Sequence, residues 1–139
     1  MRFFTPVLFA AAVAAPAAPA AFAQPVEPVN IQLNVLDNLQ DRCRVTFVLE
    51  NKQPAAIESL KLDLAVFNPE GAVRHRLIAE LGPVRASKTA VKAFAVDSAC
   101  SQVGAILVND VNACAPATAE ACLEALQLSS RVKDVRLYK

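Results

Sequence analysis

Apolar and polar residues alternate with a period of two over most of this chain. Val29, Ile31, Leu33 and Val35 interleave with Asn30, Gln32 and Asn34, which predicts a strand with one buried face. A turn-like patch follows over Asp37–Asp41. Cys43, Val45, Phe47 and Leu49 then share one face, opposite Arg42, Arg44, Thr46 and Glu50. Asn51–Pro54 breaks the pattern. Leu60, Leu62, Leu64 and Val66 alternate with Lys61, Asp63, Ala65 and Phe67 as a third strand. It ends at Asn68-Pro69-Glu70-Gly71, where Asn first, Pro second and Gly fourth fit a type I turn. The turn returns the chain as a hairpin strand from Val73 to Ala79, closed by Leu81-Gly82-Pro83.

Thr89–Asp97 alternates again but is apolar on both faces, so its core-facing side stays open. Val103–Val111 is nearly continuous in apolar residues and suits a central strand. The chain turns Ala-rich between Cys114 and Cys122. There Thr118 can cap a short helix over Ala119–Leu126. Val132–Tyr138 reads as a last strand. About seven short strands with regular turn signals predict an all-β fold, an immunoglobulin-like antiparallel β-sandwich with one short helix in a late loop.

The first 23 residues do not share this pattern. Arg2 precedes an apolar body from Phe3 to Ala15, and Ala21-Phe22-Ala23 stands as a small-x-small cleavage site before Gln24. That is the layout of a secretory signal peptide. Pro16 and Pro19 interrupt a helix that would need about 20 apolar residues to span a bilayer. No cysteine follows the cleavage site to carry a lipid, and a twin-arginine pair is absent. The expectation is a cleaved leader over residues 1–23 and a single domain over residues 24–139, released into the periplasm or beyond without a membrane anchor.

Of the 14 basic and 13 acidic residues, only Arg2 falls in the leader, so the remaining domain is neutral. A neutral domain disfavours nucleic acid as a partner. The leader also decides how Cys43, Cys100, Cys114 and Cys122 are read, because an even count in an oxidising compartment points to disulfides. Three pairings are possible. Spacing favours Cys114 with Cys122, closing a short loop, and Cys43 with Cys100, tying an early strand to a late one. Loop entropy gives these about 2.6 and about 4 kcal/mol. A zinc site would want closer Cys pairs or more histidine than His75 alone, and a thiol oxidoreductase would want Cys-x-x-Cys.

Two resemblances accompany these patterns. Leu62-Asp63-Leu64-Ala65-Val66-Phe67-Asn68, the turn Pro69-Glu70-Gly71, and Leu81-Gly82-Pro83 before a strand with Phe94 resemble secreted FxLYD sandwich modules. The Phe-x-Leu-Tyr-Asp signature itself is not present. Cys43–Asn51, Leu107–Cys114 and Ala121-Cys122-Leu123 leading to Leu128–Arg131 resemble uncharacterised alphaproteobacterial secreted proteins, often labelled Tat-signal-sequence domain proteins. The second likeness implies secretion but brings no activity, cofactor or catalytic residue.

The polar candidates each have a plain structural reading. His75 sits between Arg74 and Arg76 without a neighbouring nucleophile or second ligand, which suits a solvated strand residue. Ser129 and Ser130 lack a base and read as loop residues. Asn109-Asp110-Val111-Asn112 could offer oxygens to calcium but lacks the Asp-x-Asp-x-Asp-Gly frame, so it reads as a strand end leading into Cys114. Arg42, Arg44, Arg74 and Arg76 would make an anion-binding patch if their strands were neighbours. Otherwise they form a solvated face balanced by Glu50, Glu58 and Asp63. The expectation is a non-enzymatic module without cofactor or metal that binds another periplasmic or envelope protein. The alternative is an inhibitor of a secreted hydrolase working through the Cys114–Cys122 loop. Intact mass without reductant should fall about four hydrogens below that of the reduced chain. Free thiols would contradict the oxidising compartment.

Overall fold

The computed structural model describes residues 16–19 and 27–139. The expected leader lies outside them except for Pro16–Pro19, which form no regular element, and so do Gln24–Val26 of the lead-in. Eight strands are described: β1 (Val29–Leu39), β2 (Arg42–Asn51), β3 (Ser59–Phe67), β4 (Val73–Glu80), β5 (Thr89–Val96), β6 (Ala105–Ala115), β7 (Leu126–Ser130) and β8 (Arg136–Tyr138). One short helix, α1 (Ala119–Ala125), precedes β7. The strands form two sheets, ordered β5-β2-β1-β7 and β4-β3-β6-β8.

The alternation written in the sequence becomes the core. Ile31, Leu33, Val45, Phe47 and Leu49 of the first sheet are fully buried with Leu60, Leu62, Leu64, Val66 and Ile106 of the second. Each such side chain contributes about 1.5–3 kcal/mol on burial. The ambiguous strand β5 turns Ala90, Lys92, Phe94 and Val96 to the registers of Leu49, Phe47, Val45 and Cys43. Phe94 meets Phe47 edge-on at 5.2 Å between ring centroids, a favoured aromatic geometry.

Through β6 the strands interleave as in an immunoglobulin-type Greek key, with β5 beside β2 and β6 beside β3. The last two strands depart from the antiparallel expectation. β7 pairs parallel with β1, and β8 pairs parallel with β6. The strand expected over Val132–Tyr138 is confined to Arg136–Tyr138, and β7 was not anticipated. β1 also runs on to Leu39, through part of the patch expected to turn, and its register slips between Leu33 and Val35. This bulge reverses the phase of the strand. Val35, expected among the buried residues, is 38% exposed, and Leu36 takes the inner register opposite Val45. The Asn68–Gly71 turn forms as expected: Gly71 donates its N–H to the Asn68 carbonyl at 3.0 Å, with Gly71 at φ +88°.

The chain must cross between sheets several times, and the crossings are pinned. Asn51, at the end of β2, is the only buried polar residue among those described. Its amide Nδ2 donates to the carbonyls of Ala55 (3.0 Å), Val84 (3.3 Å) and Arg85 (3.2 Å), and its Oδ1 accepts from the Gln53 N–H at 3.0 Å. Its backbone N–H donates to the Lys88 carbonyl at 2.9 Å. One side chain thereby holds both the β2–β3 and the β4–β5 connections. Cys43 of β2 is bonded to Cys100, in a 3-10 turn (Cys100–Gln102) between β5 and β6. Cys114 of β6 is bonded to Cys122 of α1, across the β6–β7 connection.

Replacing Asn51 with Ala leaves a fully buried site without its amide and removes the bonds to the Ala55, Val84 and Arg85 carbonyls and to the Gln53 N–H. The Asn51→Ala variant is expected to lose about 3 kcal/mol of stability, read as a lower urea midpoint at unchanged slope.

Candidate interaction surface

The two inner faces are consumed by the core, which leaves the outer faces, the sheet edges and the connections as surface. On the outer face of the first sheet, cross-strand registers place Asn30 opposite Glu50 and Gln127, Gln32 opposite Val48 and Ser129, and Val48 opposite Val91. Asn30 Nδ2 donates to Glu50 Oε2 at 3.0 Å, and Asn34 Nδ2 donates to Gln32 Oε1 at 3.1 Å. Asn30, Gln32, Val48, Glu50, Gln127, Leu128 and Ser129 line a shallow depression of about 350 Å³. Val91, beside it, is 66% exposed. The arrangement is an apolar pair, Val48 and Val91, next to amides, a hydroxyl and one carboxylate. The apolar pair lies on the β5 side of the polar residues.

The four arginines do not meet. Arg42 and Arg44 lie on β2 of one sheet, Arg74 and Arg76 on β4 of the other. Arg42 pairs with Asp97 at 2.7 Å and Arg44 with Asp37 at 3.2 Å. Arg76 pairs with Asp63. Of the three acids expected to balance them, only Asp63 does so. Glu50 instead faces Asn30 and Lys52, at 3.0 and 3.8 Å.

Asn109-Asp110-Val111-Asn112 does not end a strand, since β6 continues to Ala115. The register against β3 slips twice here: Leu64 faces Val108, Asp63 faces Asp110, Leu62 faces Val111 and Lys61 faces Ala113. Asn109 and Asn112 are the extra residues of two bulges. Polar side chains belong there because a bulge residue has no partner across the ladder. Asn109 Nδ2 donates to Asp63 Oδ2 at 2.8 Å, while Asp110 Oδ1 accepts from the Val111 N–H at 2.8 Å. The Asp63 side chain, 14% exposed, thus gathers Arg76 and Asn109 from the strands on either side.

Ser129 and Ser130, expected in a loop, belong to β7. Ser129 borders the depression, and Ser130 Oγ accepts from the Val132 N–H at 3.1 Å. His75 is a half-buried residue of β4 opposite Val66. The Cys114–Cys122 loop is tied down. Thr118 Oγ1 accepts from the Ala121 N–H at 3.2 Å, capping α1, and the Ala115 carbonyl accepts from the Glu58 N–H at 2.7 Å. Lys139 Nζ donates to the carbonyls of Leu123 (2.6 Å) and Leu126 (2.7 Å) at the helix C-terminus. Within the loop, Pro116, Ala117, Thr118 and Glu120 are the exposed residues. Among the described residues, no group of three or more His, Cys, Asp or Glu comes together.

Sequence could not reveal the depression, because Asn30, Gln127 and Ser129 meet only through the parallel β1–β7 pairing. Comparison with protein-family models, curated proteins and solved structures finds no match to this chain.

Asp63→Ala removes the acceptor shared by Arg76 and Asn109 and is expected to cost about 1–3 kcal/mol. Arg76→Ala removes an exposed partner only and should cost less than about 1 kcal/mol. Urea unfolding of the two variants measures the order.

Proposed function

We propose that this chain is a secreted periplasmic module without enzymatic activity that binds another envelope protein through the outer face of the β5-β2-β1-β7 sheet. The observation that carries the reading is the Asn30–Gln32–Glu50–Gln127–Ser129 rim beside Val48 and exposed Val91. Its hydrogen-bonding groups stand on paired strands, so little conformational freedom is lost when a partner docks.

The compartment rests on separate support. Two disulfides suit an oxidising environment. Among the described residues no helix is long and apolar enough to cross a membrane. The leader pattern and the likeness to secreted proteins point the same way. The hydrolase-inhibitor alternative has less to work with, because the loop's exposed run is only Pro116, Ala117 and Thr118, with Glu120 beyond it on α1.

The test is affinity capture of the tagged protein from periplasmic extract, with mass spectrometry. One stoichiometric partner should be retained by the wild type and lost by Gln32→Arg and Ser129→Arg, which should change stability by less than about 0.5 kcal/mol. The Cys114→Ser/Cys122→Ser variant should retain the partner. Loss in that variant alone would move the site to the loop. Recovery of no partner, with turnover in a substrate panel, would overturn the reading.

A further inference from the structure

Each sheet has two edges, and an open edge is a template for another strand unless something blocks it. Three of the four edges here carry such a block. β8 is three residues long, with α1 packed on β6 and bonded to it through Cys114–Cys122 beyond it, and β7 is five. β5 is longer, but Lys92 occupies an inner-facing register opposite Phe47. A strand added beside β5 would have to bury that ammonium.

β4 differs. It is an eight-residue edge strand without proline. Its inner-register residues are His75, Leu77 and Ala79, opposite Val66, Leu64 and Leu62, with no Lys, Arg, Asp or Glu among them. Its outer face carries Ile78, 51% exposed. The one irregularity, a bulge against Val66 and Phe67, falls at Arg74 and leaves His75–Glu80 regular.

The charges of β4 make it complementary to itself. An antiparallel copy centred on Leu77 sets Leu77 against Leu77, Arg76 against Ile78 and His75 against Ala79 along the regular stretch, and brings Arg74, at the bulge just beyond it, to the level of Glu80. Two-fold symmetry makes each unlike pairing occur twice. Arg74 has no carboxylate within salt-bridge distance among the described residues. Glu80 is held only by exposed Lys61, at 3.3 Å.

We infer that β4 is the dimerisation edge: two copies of this chain pair β4 antiparallel about Leu77, joining their β4-β3-β6-β8 sheets into one continuous eight-stranded sheet. The partner is a second copy, and what selects it is the Arg74–Glu80 reciprocity. The surface is separate from the Asn30–Ser129 face, which lies on the other sheet and stays free in each subunit.

The experiment is sedimentation equilibrium of the purified protein across a concentration series, with a charge-swap cycle on exposed residues. Wild type should approach the dimer mass as concentration rises. Arg74→Glu and Glu80→Arg, each setting like charges against one another twice, should raise the dimer dissociation constant by about tenfold or more. The double variant Arg74→Glu/Glu80→Arg should return it towards wild type. Circular dichroism shows whether each variant is folded, and rescue by the double variant is itself an internal check on folding. A monomer mass at every concentration, or a dimer indifferent to the single swaps, would overturn the inference. Neither result would touch the face variants used to test partner capture.

Discussion

Asn51 is the constraint on which the two-layer arrangement turns. Two sheets facing each other through apolar side chains have no hydrogen bonds between them, so backbone groups are stranded wherever the chain leaves a ladder. The β2–β3 and β4–β5 connections leave at the same end. One carboxamide serves both, giving its N–H bonds to Ala55, Val84 and Arg85 and taking one from Gln53. An amide suits this place because it is neutral yet both donates and accepts. A carboxylate could not donate, and an apolar side chain would give up every bond that ties the two connections to β2 through this residue.

Two of the three remaining crossings use covalent bonds where Asn51 uses hydrogen bonds. Cys43–Cys100 fixes the passage from β5 to β6, and Cys114–Cys122 fixes the passage from β6 to α1. The division agrees with the local sequence. The connections at Asn51 hold Pro54 and Pro83 and sit against buried Ile57 and Val84, which bridge each other. The cross-linked connections bury Val103 on one side and Cys122 and Ala125 on the other.

Much of this was legible in the residues. The period-two runs placed β2, β3, β4 and the start of β1, and Thr118 marked the start of α1. Part of what escaped has a common cause, since single-residue bulges reset the alternation. Asn34 inverts β1, so Val35 faces solvent although it continues the pattern of Leu33. Asn109 and Asn112 do the same in β6 and looked like the end of a strand. The parallel strand β7 was hidden for another reason. Leu126-Gln127-Leu128-Ser129-Ser130 is short and follows a helix directly, and only its long-range pairing with β1 makes it a strand. The rim of the candidate site depends on that pairing, so it was invisible with it.

The β1–β7 pairing also sets when this domain can become itself. Val29–Leu33 meets Leu126–Ser130 across nearly the whole domain, and β8 then closes on β6. Until those last residues are available, β1 and β6 are both open edges and the core lacks Leu126 and Leu137. Loop closure over such a distance precedes any reward from contact. The two sheets therefore reach their full width only when the chain's last residues arrive.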